Sequence, residues 1–169
     1  MFRWRAMRSE LCAVPGRVKG CWSVSSRSGP GIGNVAPERY LLDSSALLTL
    51  IEDEPGSERV EEVLRSRPCL IPWLALLEVH YITQQEIGVD EAERRLALLE
   101  HLPGEILWQA DASVLRAAAG FKAVHRISLA DAVMAGFAKA QSAVLLHKDP
   151  EFQSLEGRVV VESLPYKRG

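Results

Sequence analysis

Tyr40-Leu41-Leu42-Asp43-Ser44-Ser45-Ala46-Leu47-Leu48-Thr49-Leu50-Ile51 changes its hydrophobic period at a single acid. Three consecutive apolar residues read as a short strand buried on both faces, because a strand with one wet face would alternate. Beyond Asp43, residues Ala46, Leu47, Leu50 and Ile51 recur at helical spacing, so strand gives way to helix at that aspartate. The alternation continues outward. Glu54-Pro55-Gly56 interrupts the helix, and Val60, Val63 and Leu64 mark a second one. Cys69-Leu70-Ile71 reads as a second buried strand closed by Pro72, followed by an apolar helix from Trp73 to about Glu86 and another from Asp90 to Leu102. Glu105 to Trp108 is a third strand. Helices over Val114 to Val124 and Leu129 to Ala140 follow, and Ala143 to Leu146 and Val159 to Glu162 complete the set as short strands. Strands alternating with helices predict an α/β protein, a three-layer α/β/α sandwich with a mostly parallel central sheet.

The chain has 169 residues, 47% of them hydrophobic and 25% charged, which suits one globular domain with an added segment. No charge-free run approaches the roughly 18 apolar residues of a spanning helix, so no membrane partner is expected. Arg3, Arg5 and Arg8 imitate the start of a secretion signal, but Leu11 to Val14 is too short for its apolar region; the expectation is a cytoplasmic protein. Cys12, Cys21 and Cys69 form no C-x-x-C pair and suggest neither a disulfide framework nor a zinc knuckle. Residues 1–38, rich in Arg, Ser, Gly and Pro, read as a flexible basic N-terminal extension, with a transit peptide or an RNA-contacting arm as other readings; the domain proper is expected over 39–169. Charge divides the same way. Residues 1–39 hold seven Lys and Arg against two Asp and Glu, a net of +5, and residues 40–169 hold 13 against 20, a net of −7. An acidic domain binds nucleic acid only through local basic patches or bound cations.

Functional groups of such a sheet collect where strands end and helices begin. Asp43 follows the first strand, Asp149 follows the fourth, Asp131 lies in the first turn of a helix and Glu78 lies inside one. Three of these acids have a second reading as parts of helix caps: Asp43 and Asp149 as N-caps, the latter followed by Pro150, and Asp131 as the fourth residue of a box opened by Ser128. Glu78 has no such reading. It is the only acid between Val63 and Gln85, as Asp131 is between Ala112 and Lys148, and both stand among apolar positions whose surroundings look buried. An ionised carboxylate buried without a partner costs several kcal/mol or shifts its pKa upward. A hard divalent cation, which takes oxygen ligands, accounts for several converging acids at once, and carboxylate-held Mg²⁺ or Mn²⁺ serves phosphodiester chemistry.

At these residues the sequence resembles the PIN-domain family, and within it the VapC-like ribonuclease toxins of toxin–antitoxin pairs. The segments that carry the resemblance are Leu42-Asp43-Ser44-Ser45-Ala46-Leu47-Leu48, Leu77-Glu78-Val79, Ser128-Leu129-Ala130-Asp131-Ala132 and Lys148-Asp149-Pro150-Glu151-Phe152, in order across about residues 39–165. The resemblance implies that Asp43, Glu78, Asp131 and Asp149 line one acidic pocket, act as catalytic residues and hold one or two Mg²⁺ or Mn²⁺ ions, with the Ser44 hydroxyl supporting the cluster. It further implies cleavage of an RNA substrate by metal-activated water, a homodimer, and a cognate antitoxin threading a segment across the pocket. One departure stands out. Family members commonly have Thr or Ser and then Gly before the fourth acid, where this chain has His147 and Lys148. Lys148 then either binds substrate phosphate or crowds the cation, and in the latter case the domain becomes an RNA- or protein-binding module with little or no nuclease activity. A phosphoacceptor signalling domain also uses acids at strand ends and a late Lys, but gives Glu78 no role.

Overall fold

The computed structural model describes residues 39–166. Within them five strands form one sheet: β1 (Tyr40–Leu42), β2 (Cys69–Pro72), β3 (Glu105–Leu107), β4 (Val144–His147) and β5 (Val161–Ser163). Their order is β3-β2-β1-β4-β5, and every neighbouring pair is parallel, so the mostly parallel expectation resolves to an all-parallel sheet. Six α-helices connect them: α1 (Ser44–Ile51), α2 (Ser57–Ser66), α3 (Trp73–Glu86), α4 (Val89–Leu99), α5 (Ala112–Val124) and α6 (Leu129–Ala140). A 3₁₀ segment over Pro150–Leu155 links β4 to β5.

Helices packed on an all-parallel sheet make the expected α/β/α sandwich, and burial follows position in that sheet. The central strands β1, β2 and β4 are buried at every residue, which is why they read as unbroken apolar runs. Leu41, Leu42, Ile71, Leu145 and Leu146 join Phe137, Met134 and Phe152 among the fully enclosed side chains. Edge strands β3 and β5 are partly exposed, and there the boundaries move. Before the strand begins at Val161, the apolar run from Val159 makes an isolated bridge to Glu156 and one bond from the Leu145 N–H to the Val160 carbonyl, and Val160 stands 63% exposed. Gly157, with φ of 80°, turns the chain in a conformation that L side chains resist, and this delays the strand.

Strand order reverses at β1, which has β2 on one side and β4 on the other. Successive connections therefore leave the sheet to either side of the β1–β4 seam and open a crevice beyond the strand ends. Asp43 and Asp149 emerge there. Leu42 lies opposite Leu146, and the Asp43 N–H donates to the Leu146 carbonyl at 3.1 Å.

Candidate active site

Asp43 caps α1. Its backbone is extended, at φ −75° and ψ 161°, and its Oδ2 accepts from the Ser45 N–H at 3.1 Å and from the Ser45 hydroxyl at 2.5 Å. Only 3% of the residue is exposed. Burial strips water from the carboxylate and pushes its pKa up to about 6; the Ser45 bonds pull it down, and the fields of Glu78 and Asp131 push it further up. That coupling places the carboxylates of three separate elements within electrostatic reach of one another.

Asp131 occupies the first turn of α6, where its N–H donates to Ser128 Oγ at 2.9 Å. Its pKa is also raised, by burial first and then by Asp149 and by Glu151, with which it shares a hydrogen bond. Asp149 caps the 3₁₀ segment by accepting from the Glu151 N–H at 2.8 Å. Glu151 in turn reaches back, its Oε2 accepting from the Ser128 N–H at 3.1 Å. Electrostatic coupling thus runs from Glu78 through Asp43 to Asp131 and on to Asp149 and Glu151. The cap readings of Asp43 and Asp149 hold, and capping uses only some of each carboxylate's acceptor capacity.

Several details depart from expectation. The hydroxyl that bonds Asp43 is that of Ser45, not Ser44, because an extended N-cap turns its carboxylate toward the residue two positions on. Glu151 is a fifth acid of the group; an acid two residues beyond a strand-end N-cap was the available signal. Glu78 and Asp131 are half-buried, and their neighbours Leu77 and Leu129 are 48% and 68% exposed, so these acids line a rim. Lys148 crowds none of the acids through any bond in the structure. Its ammonium is held by Glu54 Oε2 at 2.7 Å and the Pro55 carbonyl at 3.3 Å. His147 is fully buried, with Nε2 facing Ser163 Oγ at 3.2 Å and its ring edge-on to Phe152. Burial holds its pKa below the usual histidine value, so it is a neutral member of the core.

Among the described residues no three His, Cys, Asp or Glu side chains are preassembled at metal-ligating spacing. The donor chemistry nevertheless fits a hard divalent cation. Among the described residues none of Asp43, Glu78, Asp131 and Asp149 is in a salt bridge, and the fields of neighbouring carboxylates disfavour the ionised forms of Asp43 and Asp131. The four candidate residues offer only oxygen donors, as Mg²⁺ or Mn²⁺ prefers.

A five-stranded parallel sheet, with Asp43 and Asp149 following the strands on either side of its switch point, sets the class. The PIN domain model matches residues 40–157, well over half of the chain, and the chain belongs to the PIN domain family. Solved structures agree on the fold. A VapBC2 complex from Rickettsia felis bound to a promoter DNA fragment aligns at a TM-score of 0.64 and 16% identity, over 75% of this chain and 99% of that one. VapBC-1 from nontypeable Haemophilus influenzae aligns at 0.60 and 19%, over 74% and 97%. VapC20 of Mycobacterium tuberculosis, a toxin that cleaves the sarcin–ricin loop, aligns at 0.59 and 16%, over 75% and 99%. No curated protein is similar enough in sequence to count as a match.

Proposed function

We propose that this protein is a divalent-metal-dependent endoribonuclease, the toxin of a toxin–antitoxin pair, with Asp43, Glu78, Asp131 and Asp149 as the residues that hold Mg²⁺ or Mn²⁺. The observation that carries this reading is the buried Asp43 carboxylate at the β1–β4 switch point, raised by burial and by the fields of Glu78 and Asp131. A divalent cation bound there supplies charge to neutralise the scissile phosphate, acidify the attacking water and stabilise the departing oxygen. The chain's own part is positional. Ser45 fixes the Asp43 carboxylate from below, Ser128 fixes the start of α6 and so the height of Asp131, and the 3₁₀ segment presents Asp149. Half-burial of Glu78, Asp131 and Asp149 leaves one side of the group open to a polynucleotide.

RNA is the proposed substrate because the group is suited to a phosphodiester and because VapC20, similar in fold, is a toxin that cleaves the sarcin–ricin loop. An antitoxin and a second copy of the chain are proposed partners. The exposed Leu77, Tyr81 and Leu129, close in sequence to Glu78 and Asp131, offer apolar surface for a protein partner, and VapBC structures are among the solved neighbours. A cytoplasmic location is proposed as well; separately, among the described residues no helix is long and apolar enough to cross a membrane. The test is cleavage of a labelled RNA by the purified chain. Cleavage with Mn²⁺ that stops on addition of EDTA and returns with excess Mn²⁺ is expected. Equal cleavage with and without chelator, or none under any metal, contradicts the proposal.

A further inference from the structure

Lys148 stands where the family pattern has a small residue, and its bonds run in two directions. Its side chain, 11% exposed, reaches Glu54, whose side chain is 16% exposed, and also the Pro55 carbonyl. Its backbone N–H donates to Ser45 Oγ at 2.9 Å, and the same hydroxyl gives its proton to Asp43 Oδ2. A hydroxyl has one proton, so while it donates to Asp43 it accepts from Lys148, and the direction of the chain of bonds is fixed. Glu54 and Pro55 belong to the turn between α1 and α2, which Gly56 closes at φ of 104°. A Cβ at Gly56 would lie 3.0 Å from Pro165 Cδ, and Leu164 N–H donates to the His147 carbonyl at 2.7 Å. The turn is therefore packed between the chain beyond β5 and the Lys148 side chain.

We propose that Lys148 is a positioning residue for Asp43: its ammonium latches the Glu54–Pro55 turn to the end of β4, and its N–H, held in place by that latch, orients the Ser45 hydroxyl and through it the Asp43 carboxylate. The inference rests on the reading of Asp43 as a catalytic acid. It assigns Lys148 neither to substrate nor to competition with the cation, because a shielded ammonium bonded to Glu54 is already neutralised. Outer partners that orient a ligand are commonly worth about 10–100-fold in metal affinity.

The test uses the full chain with Lys148→Met, Glu54→Gln, the double variant and Lys148→Arg. In metal-free protein at pH 8, NMR follows the Asp43 carboxyl carbon and the Ser45 amide, and calorimetry measures Mn²⁺ affinity. Lys148→Met is expected to shift both resonances, leave those of α5 in place and weaken Mn²⁺ binding about tenfold. Glu54→Gln reproduces this effect, and the double variant is no worse than either single one, as for two halves of one latch. Lys148→Arg, which reaches the same carboxylate, stays close to wild type. Unshifted Asp43 and Ser45 resonances in Lys148→Met overturn the proposal, and so does tighter Mn²⁺ binding, the result for an ammonium that merely competes. Should Lys148→Met fail to fold, Glu54→Gln carries the same comparison. A wild-type chain that neither binds Mn²⁺ nor cleaves RNA removes the ribonuclease reading, while the resonances still decide the latch.

Discussion

Ionising Asp43 works against the fold. A carboxyl whose folded pKa is about 6, against an ordinary value of 3.8, binds its proton more tightly when folded, so it favours the native state fully below pH 4. That advantage is lost as pH rises through 6, and above it the ionised, buried group costs the metal-free protein roughly 3 kcal/mol. Asp43→Asn keeps an oxygen to accept from Ser45 and cannot ionise. In chelator the variant is expected to melt above wild type at pH 8, with the difference gone by pH 4; equal melting points at pH 8 would remove the buried-charge account. Metal binding must displace the same proton, so Mn²⁺ affinity measured by calorimetry should climb with pH up to about 6 and then level off.

At the scale of elements, the closest approach is between α5 and α6, where Gly136 faces α5. A Cβ there would lie 2.8 Å from the Val114 carbonyl oxygen and 3.0 Å from Ala118 Cβ, while one at Gly120 would meet nothing within 4 Å. Gly136→Ala should therefore destabilise by about 1–2 kcal/mol, overpacking against backbone outweighing the gain in helix propensity. Gly120→Ala should stabilise by up to about 1 kcal/mol. Thermal melts of the pair check this; two shifts of the same sign would contradict it. Elements of this kind were legible where a strong period coincided with burial. Tyr40–Leu42 and Trp73–Glu86 appear as read, and the strand read over Cys69–Ile71 extends one residue into Pro72, because enclosed strands need apolar residues on both faces and helices repeat. The edge strand β5 lies two residues later than its valines suggest, since partial exposure removes the sequence constraint and the Gly157 turn sets the start. Of the candidate acids, Asp43 and Asp149 stood out by their places after strands and Glu78 and Asp131 by their isolation among apolar residues. Ser45 and the Glu54 partner of Lys148 were not legible, because each is defined by cap geometry or by a bond to a residue distant in sequence that one-dimensional spacing does not report, whereas Glu151, two residues beyond the Asp149 cap, left a spacing signal.

The whole molecule joins a net charge of −7 on residues 40–169 to a proposed polyanionic substrate, with +5 on residues 1–39. The described core lies within Tyr40 to Leu164, so deleting residues 1–37 is expected to leave the melting temperature nearly unchanged. If the basic segment holds RNA, the same deletion weakens binding and flattens its dependence on salt; a large loss of thermal stability would instead show that the segment packs on the domain. One acidic group drawn from four parts of the chain is proposed to perform RNA cleavage with a divalent cation. The most direct test compares cleavage rates at saturating Mn²⁺ for wild type and for Asp43→Asn, Glu78→Gln and Asp131→Asn, with melting curves showing each variant folded. Wild-type cleavage and a loss of at least about a hundredfold in each variant is the predicted result. Three folded variants that cleave RNA at the wild-type rate would contradict the account.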